Sequence, residues 1–169
     1  MTHLAVTVIG PDRAGIIASV TGALAGVGAN LEDSAMTLLR GHFAMMLVCT
    51  GPDAASVEAA LQPLQPELLI TVREVGPQTE HPPLGPSYLL SVHGADRPGI
   101  VSAITGVVAG AGGNITDLAT RLSSGLYVLT AELELPADVD TDMLRSALEI
   151  TADELGVGVT LHAAEADQL

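Results

Sequence analysis

The sequence predicts an α+β protein in which one β-α-β-β-α-β unit is used twice, and three observations predict it. Gly10-Pro11-Asp12-Arg13-Ala14-Gly15-Ile16 returns as Gly94-Ala95-Asp96-Arg97-Pro98-Gly99-Ile100, an offset of 84 residues. The echo runs on to Asp33 and Asp117, with 12 of the 24 positions from Gly10 to Asp33 identical to their counterparts. A repeat of this length defines the structural unit. Second, the apolar period changes from two before each motif to a helical period after it. Third, a stretch rich in proline and glycine, Gly76-Pro77 through Gly85-Pro86, separates the copies. It reads as a linker over residues 77–86, between units at 1–76 and 87–169.

Each element follows from local chemistry. Leu4, Val6 and Val8 alternate with His3, Ala5 and Thr7, and Tyr88, Leu90 and Val92 alternate in the same phase with Ser87, Leu89, Ser91 and His93, which predicts a half-buried first strand. Ile16, Val20, Leu24 and Val27 then share one helical face, matched by Ile100, Ile104, Val108 and Ala111. Gly28 and Gly112 are expected to cap these helices. Strands follow from Asn30 to about Leu38 and from Phe43 to Cys49, joined at Arg40-Gly41. Their counterparts run from Asn114 to Leu122 and from Tyr127 to Leu135, joined at Ser124-Gly125. Second helices are expected over Asp53–Leu64 and Asp140–Leu155, the latter ended by Gly156. Closing strands run from Leu68 to Val75 and from Val157 to Ala164. This order gives the ferredoxin-like arrangement, an antiparallel four-stranded sheet with two helices on one face.

Composition limits what such a protein does. Aromatics are 2% of residues, so the core is aliphatic. The formal charge is −14, with six Arg and no Lys. Duplex DNA and anionic membranes both demand cationic surface, so direct binding to either is not expected. Cys49 is the only cysteine, which allows no intrachain disulfide, and it reads as a small buried hydrophobe in a strand. No signal peptide is expected, and the predicted compartment is the cytoplasm.

Asp12 and Asp96 each precede a helix. They read either as N-caps, with Pro98 setting the first turn of its helix, or as part of a ligand site. The first N–H groups of a helix lack internal partners and attract a carboxylate. Asn30 and Asn114 begin the neighbouring strands and offer donors and acceptors. An amino acid would place its carboxylate on the helix start and its ammonium against Asp and Asn. The candidate ligand-binding residues are therefore Asp96, Gly99, Ile100 and Asn114, with Asp12, Gly15, Ile16 and Asn30 in the first copy. Arg13 and Arg97 suit either a salt bridge within their own turn or a second carboxylate anchor. Gly22 and Gly26, like Gly106 and Gly110, project away from the core-facing stripe and read either as a close helix contact or as tolerant surface.

Other patterns carry no chemistry of their own. Asp138, Asp140, Asp142 and Glu149 have the acid spacing of a calcium loop, but Met143 stands where that loop needs glycine. An acidic helix start explains them. The five histidines lack metal-ligand spacing, although His93 ends the strand beside the second turn and is placed to touch a ligand. No catalytic residues, metal site or cofactor are expected.

Asp96-Arg97-Pro98-Gly99-Ile100 between strand and helix, followed by Gly112-Gly113-Asn114-Ile115-Thr116-Asp117 at the next strand, resembles the ACT domain. Two such units in tandem resemble the glycine cleavage system transcriptional repressor family of ACT proteins, and the resemblance covers nearly the whole chain. It implies binding of a small amino acid, such as glycine or serine, as a regulatory signal without catalysis. A partner protein, a transcription regulator or a metabolic enzyme, is implied, and a homodimer is expected. The first copy departs from the pattern at Ala14, where the second has Pro98, so the second copy is expected to bind better. The rival reading is a regulatory subunit or stand-alone relative of an ACT-containing enzyme of the phosphoserine phosphatase or formyltetrahydrofolate deformylase type. A third is a dimerisation module with no ligand.

Overall fold

The computed structural model describes residues 2–76 and 82–164, so part of the predicted linker, 77–81, lies outside the described residues. The chain divides into two compact units, Met1–Glu80 and His81–Leu169. In the first, β1 (His3–Pro11) leads to α1 (Ile16–Gly26), then to β2 (Asn30–Leu39), β3 (His42–Thr50), α2 (Ala54–Leu61) and β4 (Leu69–Val75). The second repeats this order as β5 (Ser87–Ala95), α3 (Ile100–Gly110), β6 (Asn114–Ser123), β7 (Leu126–Glu134), α4 (Thr141–Leu155) and β8 (Val157–Ala163). The sheets are ordered β2-β3-β1-β4 and β6-β7-β5-β8, and each pairing is antiparallel. This is the expected ferredoxin-like arrangement.

One aliphatic core per unit places both helices on one sheet face. Leu4, Val6 and Val8 of β1 join Ile16, Val20 and Leu24 of α1 and Val57 and Leu61 of α2 in a single buried cluster. Leu90, Val92, Ile104, Val108, Leu144 and Leu148 do the same in the second unit. Cys49 is fully buried in β3. Burial in apolar surroundings raises the pKa of its thiol, and the negative charge of Glu32 raises it further.

The turns hold as the residues predict. Arg40 and Gly41 both have positive φ, as do Ser124 and Gly125, the signature of a tight two-residue hairpin turn. Ala29 donates its N–H to the Leu24 carbonyl at 3.0 Å and Gly28 to that of Ala25 at 3.0 Å, the paired bonds of a Schellman cap. Gly113 and Gly112 repeat the pattern on Val108 and Ala109.

Two local expectations are corrected. Helix α2 ends at Leu61 rather than Leu64, and Gln62–Leu64 form a 3-10 turn. Pro63 has no N–H to continue the α-helical ladder. Asp12 and Asp96 do not cap α1 and α3: Gly15 and Gly99 are the N-cap residues, with φ of 86° and 93° and no side-chain cap bond. Pro98 accordingly precedes the cap and is not in the first helical turn. True caps exist on the other two helices. Asp53 accepts from the Ser56 N–H at 2.7 Å, and Asp140 accepts from Asp142 and Met143 at 3.0 Å each. Those bonds hold the Asp53 carboxyl below the usual carboxylate range.

Candidate functional site

The repeated glycine before each Asp-Arg pair exists because two strands meet there. A Cβ on Gly10 would stand 2.6 Å from Leu68 Cδ2 and 3.0 Å from the Glu67 carbonyl oxygen. On Gly94 it would stand 2.8 Å from Val157 Cγ1. The strand therefore runs tight against β4 or β8 up to the turn, and the turn residues emerge into solvent. Asp12, Gly15, Asp96 and Gly99 are all exposed, while Ile16 and Ile100 are buried.

The turn leaves the helix start open. In α1 and α3 the first helical bonds run from the Ser19 N–H to the Gly15 carbonyl and from the Ala103 N–H to the Gly99 carbonyl, both at 2.9 Å. The N–H groups before them receive no side-chain cap. Such groups carry the positive end of the helix dipole and accept an anion. The left-handed glycine cap lets the chain enter the helix with no side chain over its end.

The two copies differ in their arginines. Arg13 Nε donates to Glu67 Oε2 at 2.7 Å, an ion pair reaching across to the segment before β4. Arg97 enters no ion pair among the described residues; its guanidinium lies over Gly156, where a Cβ would stand 3.3 Å from Nη1. His93 pairs in register with Gly158, and its ring covers that glycine: a Cβ there would lie 2.7 Å from Nε2. The second turn is thus flanked by an imidazole and an acid-free guanidinium.

The asparagines lie elsewhere, which corrects the single-unit site. Asn114 pairs with Glu134, and Glu134 pairs with Ser87, the first residue of β5. The Asp96 turn follows Ala95, the last residue of β5. Eight strand residues separate the two levels, about 26 Å of extended chain. Asn30 is held the same way, through Thr50 opposite His3. The physical reason is the return of the helix: α3 runs back along the sheet, so β6 starts at the end where β5 started. Asp96 and Asn114, or Asp12 and Asn30, cannot hold one small ligand within a single unit.

Asn114 instead lines an open groove of about 410 Å³ with Ser102, Thr105, Gly106 and Ala109 of α3. Gly106 and Gly110 face outward with nothing within 4 Å of a built Cβ, as do Gly22 and Gly26. Near Asn30, Thr50 Oγ1 donates to Glu32 Oε1 at 3.1 Å, and His3 Nε2 stands 3.4 Å from Glu32 Oε2. Among the described residues no three or more His, Cys, Asp or Glu side chains group as a metal site. Of the calcium-like acids, Asp138 lies in the turn before α4, Asp140 is its cap, and Asp142 and Glu149 are in its body. No described helix is long and apolar enough to cross a membrane.

Residue-spacing arguments missed Glu67, Gly156 and Gly158. Each becomes part of the turn only through pairing between the first and last strands of a unit, and Gly156 signals only its own helix cap in the sequence.

Comparison with known proteins agrees with this fold. The glycine cleavage system transcriptional repressor of Escherichia coli (strain K12) is 24% identical over 176 residues, spanning 98% of this chain and 92% of that protein. A protein of unknown function from Galdieria sulphuraria has a solved structure that superposes with a TM-score of 0.80 at 30% identity, covering 96% of this chain and 98% of that one. The structure of a candidate glycine cleavage system transcriptional repressor has the same fold, with a TM-score of 0.70 at 19% identity and 98% coverage of each chain. The ACT domain model matches residues 2–80 and again 87–162, and the chain belongs to the ACT domain family as a tandem pair.

Proposed function

We propose that the chain is a non-catalytic, cytoplasmic regulator that binds a small amino acid of the glycine or serine type and thereby changes its association with a partner protein. One observation carries this reading. The two helices that follow the repeated motif are left without a side-chain cap, whereas both other helices are capped by aspartate. This contrast supports an anion at the two motif-bearing helix starts. The amino-acid carboxylate sits on the N–H groups from Ile100 onward, with Gly99 allowing close approach and Asp96 receiving the ammonium group. The same roles fall to Ile16, Gly15 and Asp12 in the first unit, where Arg13 is already neutralised by Glu67.

Asn114 and Asn30 would join the ligand where two copies of the chain meet, since neither reaches the turn of its own unit. The groove that holds Asn114 also exposes Gly106, one of the glycines that suit a close helix contact, so a homodimer through that face would bring a second copy to the asparagine. The relative in Escherichia coli is named for repression of the glycine cleavage system. With a charge of −14, any such effect of this chain passes through a protein rather than through DNA.

Thermal denaturation of the full chain with each of the twenty amino acids tests the reading. A ligand at a hundred times its Kd stabilises the folded state by about 2.7 kcal/mol. Glycine or serine is expected to raise the midpoint; twenty unchanged melting curves would leave the helix starts without a ligand of this class.

A further inference from the structure

The fourth helix carries a surface that the repeat does not explain. Met143 and Ile150 are 71% and 62% exposed, although both are large and apolar. Seven residues apart, they sit two turns along one side of α4, about 10 Å from one another. Ala147 lies between them, and a groove of about 350 Å³ opens beside Met143, lined by Val107, Gly110, Val139 and Ala147. Its lining is apolar except for Asp140, and Gly110 leaves it without a rim on the α3 side, since a Cβ there would meet nothing within 4 Å. The equivalent helix of the first unit, α2, spans only 8 residues and exposes no large apolar side chain. The surface therefore belongs to the second unit alone.

Charge states what fits it. Asp140 and Asp142 stand at the start of the stripe, and Glu149, Asp153 and Glu154 follow along the exposed side of α4. Arg145, the one cation of the helix, is bound to Asp142 at 2.9 Å and offers no free charge. An apolar stripe at helical spacing, set in a carboxylate field, matches an amphipathic helix with lysine or arginine beside its apolar face. A second copy of the chain would bring two acidic rims together. The geometry points to α4 of the second unit, with the Val107 and Gly110 end of α3, as the docking surface for a basic amphipathic helix of a partner protein, with Met143 and Ile150 as its anchors.

The inference rests on the reading of the chain as a regulator that acts through a protein, and its test is independent of the amino acid. The probe is a synthetic amphipathic peptide of about five helical turns, with leucines on one face and lysines and arginines beside them. A matched peptide with glutamates in place of the cations is the control. Backbone NMR of the full chain is expected to shift around Val107, Gly110, Met143, Ala147 and Ile150 with the basic peptide only. The paired substitution Met143→Ser and Ile150→Ser, both at exposed positions, is expected to weaken binding about tenfold or more. Glu149→Gln with Glu154→Gln is expected to weaken it as well, while Glu58→Gln with Glu74→Gln in the first unit is expected to leave it unchanged.

Equal losses from both acid pairs, or shifts spread over the whole acidic surface, would reduce the contact to general charge attraction and overturn the proposal. So would peptide binding that survives loss of both anchors. Sedimentation in which Met143→Ser with Ile150→Ser abolishes a dimer would assign the face to self-association instead. Glycine titration of the parent chain separates the two proposals: amino-acid binding with no binding of the basic peptide would sink the docking surface and leave the regulator reading standing.

Discussion

Arg13 holds the Glu67 carboxylate at 2.7 Å, and Arg97, its counterpart in the second repeat, has no acid opposite it among the described residues. A surface pair of this kind adds only about 0–1 kcal/mol to stability. Its larger effect is on the neighbouring helix start, where it cancels one cation in the first copy and leaves it available in the second. If Arg97 supports a bound carboxylate, Arg97→Gln removes a charge-assisted contact of about 1.5–3 kcal/mol, a loss of roughly ten- to a hundredfold in affinity. Arg13→Gln should change affinity far less. Calorimetric titration with glycine or serine measures both, and equal effects would remove the distinction between the copies.

Capping predicts a second contrast. Asp140→Ala removes an observed cap and should cost about 0.5–2 kcal/mol in urea denaturation. Asp96→Ala removes none and should leave stability within about 0.5 kcal/mol of the parent. Asp96 is therefore a cleaner probe of ligand binding than a capping residue would be. A large stability loss at Asp96 would mean that its carboxylate serves the fold.

Asp53 gives the pH dependence a sign. Its bonds to Ser56 lower its pKa in the folded state, so its contribution is present above the unfolded carboxylate pKa and is lost as pH falls through the lower folded value. The parent chain should lose stability relative to Asp53→Asn as pH is taken down through and below the ordinary carboxylate range. Parallel stability curves for the two proteins across that interval would contradict the cap.

The Cys49 thiol is buried and its pKa is raised by desolvation and by Glu32, so thiolate is scarce at neutral pH. Thiol-reactive reagent should label the native chain slowly and at the rate of unfolding, then rapidly in denaturant. Rapid labelling without denaturant would contradict the packing of β3.

Glycine substitutions separate close approach from open surface. Gly94→Val drives a side chain into Val157 and should destabilise by about 1–3 kcal/mol. Gly106→Ala meets nothing and should stabilise the isolated helix by about 1 kcal/mol. If the proposed dimer uses this face, Gly106→Leu should lower the mass measured by light scattering. An unchanged dimer would move the contact elsewhere.

Most of the fold was legible because each element announces itself locally. The change of period at Gly10 and Gly94, the Arg40-Gly41 and Ser124-Gly125 turns and the Schellman glycines all act within a few residues. The candidate site was legible only in part. The helix start could be read, since a glycine cap and a buried isoleucine are local features. Its asparagine could not be placed, because adjacency of Asn114 to α3 in sequence says nothing about which end of the sheet it reaches. Pairing of Asn114 with Glu134, and of Glu134 with Ser87, decides that, and pairing is a long-range outcome. Asp96 looked like a cap because it precedes a helix, but the left-handed Gly99 took that position.

The central claim is that the open helix start of the second repeat holds an amino-acid carboxylate. Isothermal titration of the full chain with glycine and with serine, repeated on Asp96→Asn and Arg97→Gln, tests it most directly. The account predicts saturable binding by the parent and a loss of about tenfold or more in each variant. Binding of equal affinity in the parent and both variants would contradict it and place the amino acid away from this turn.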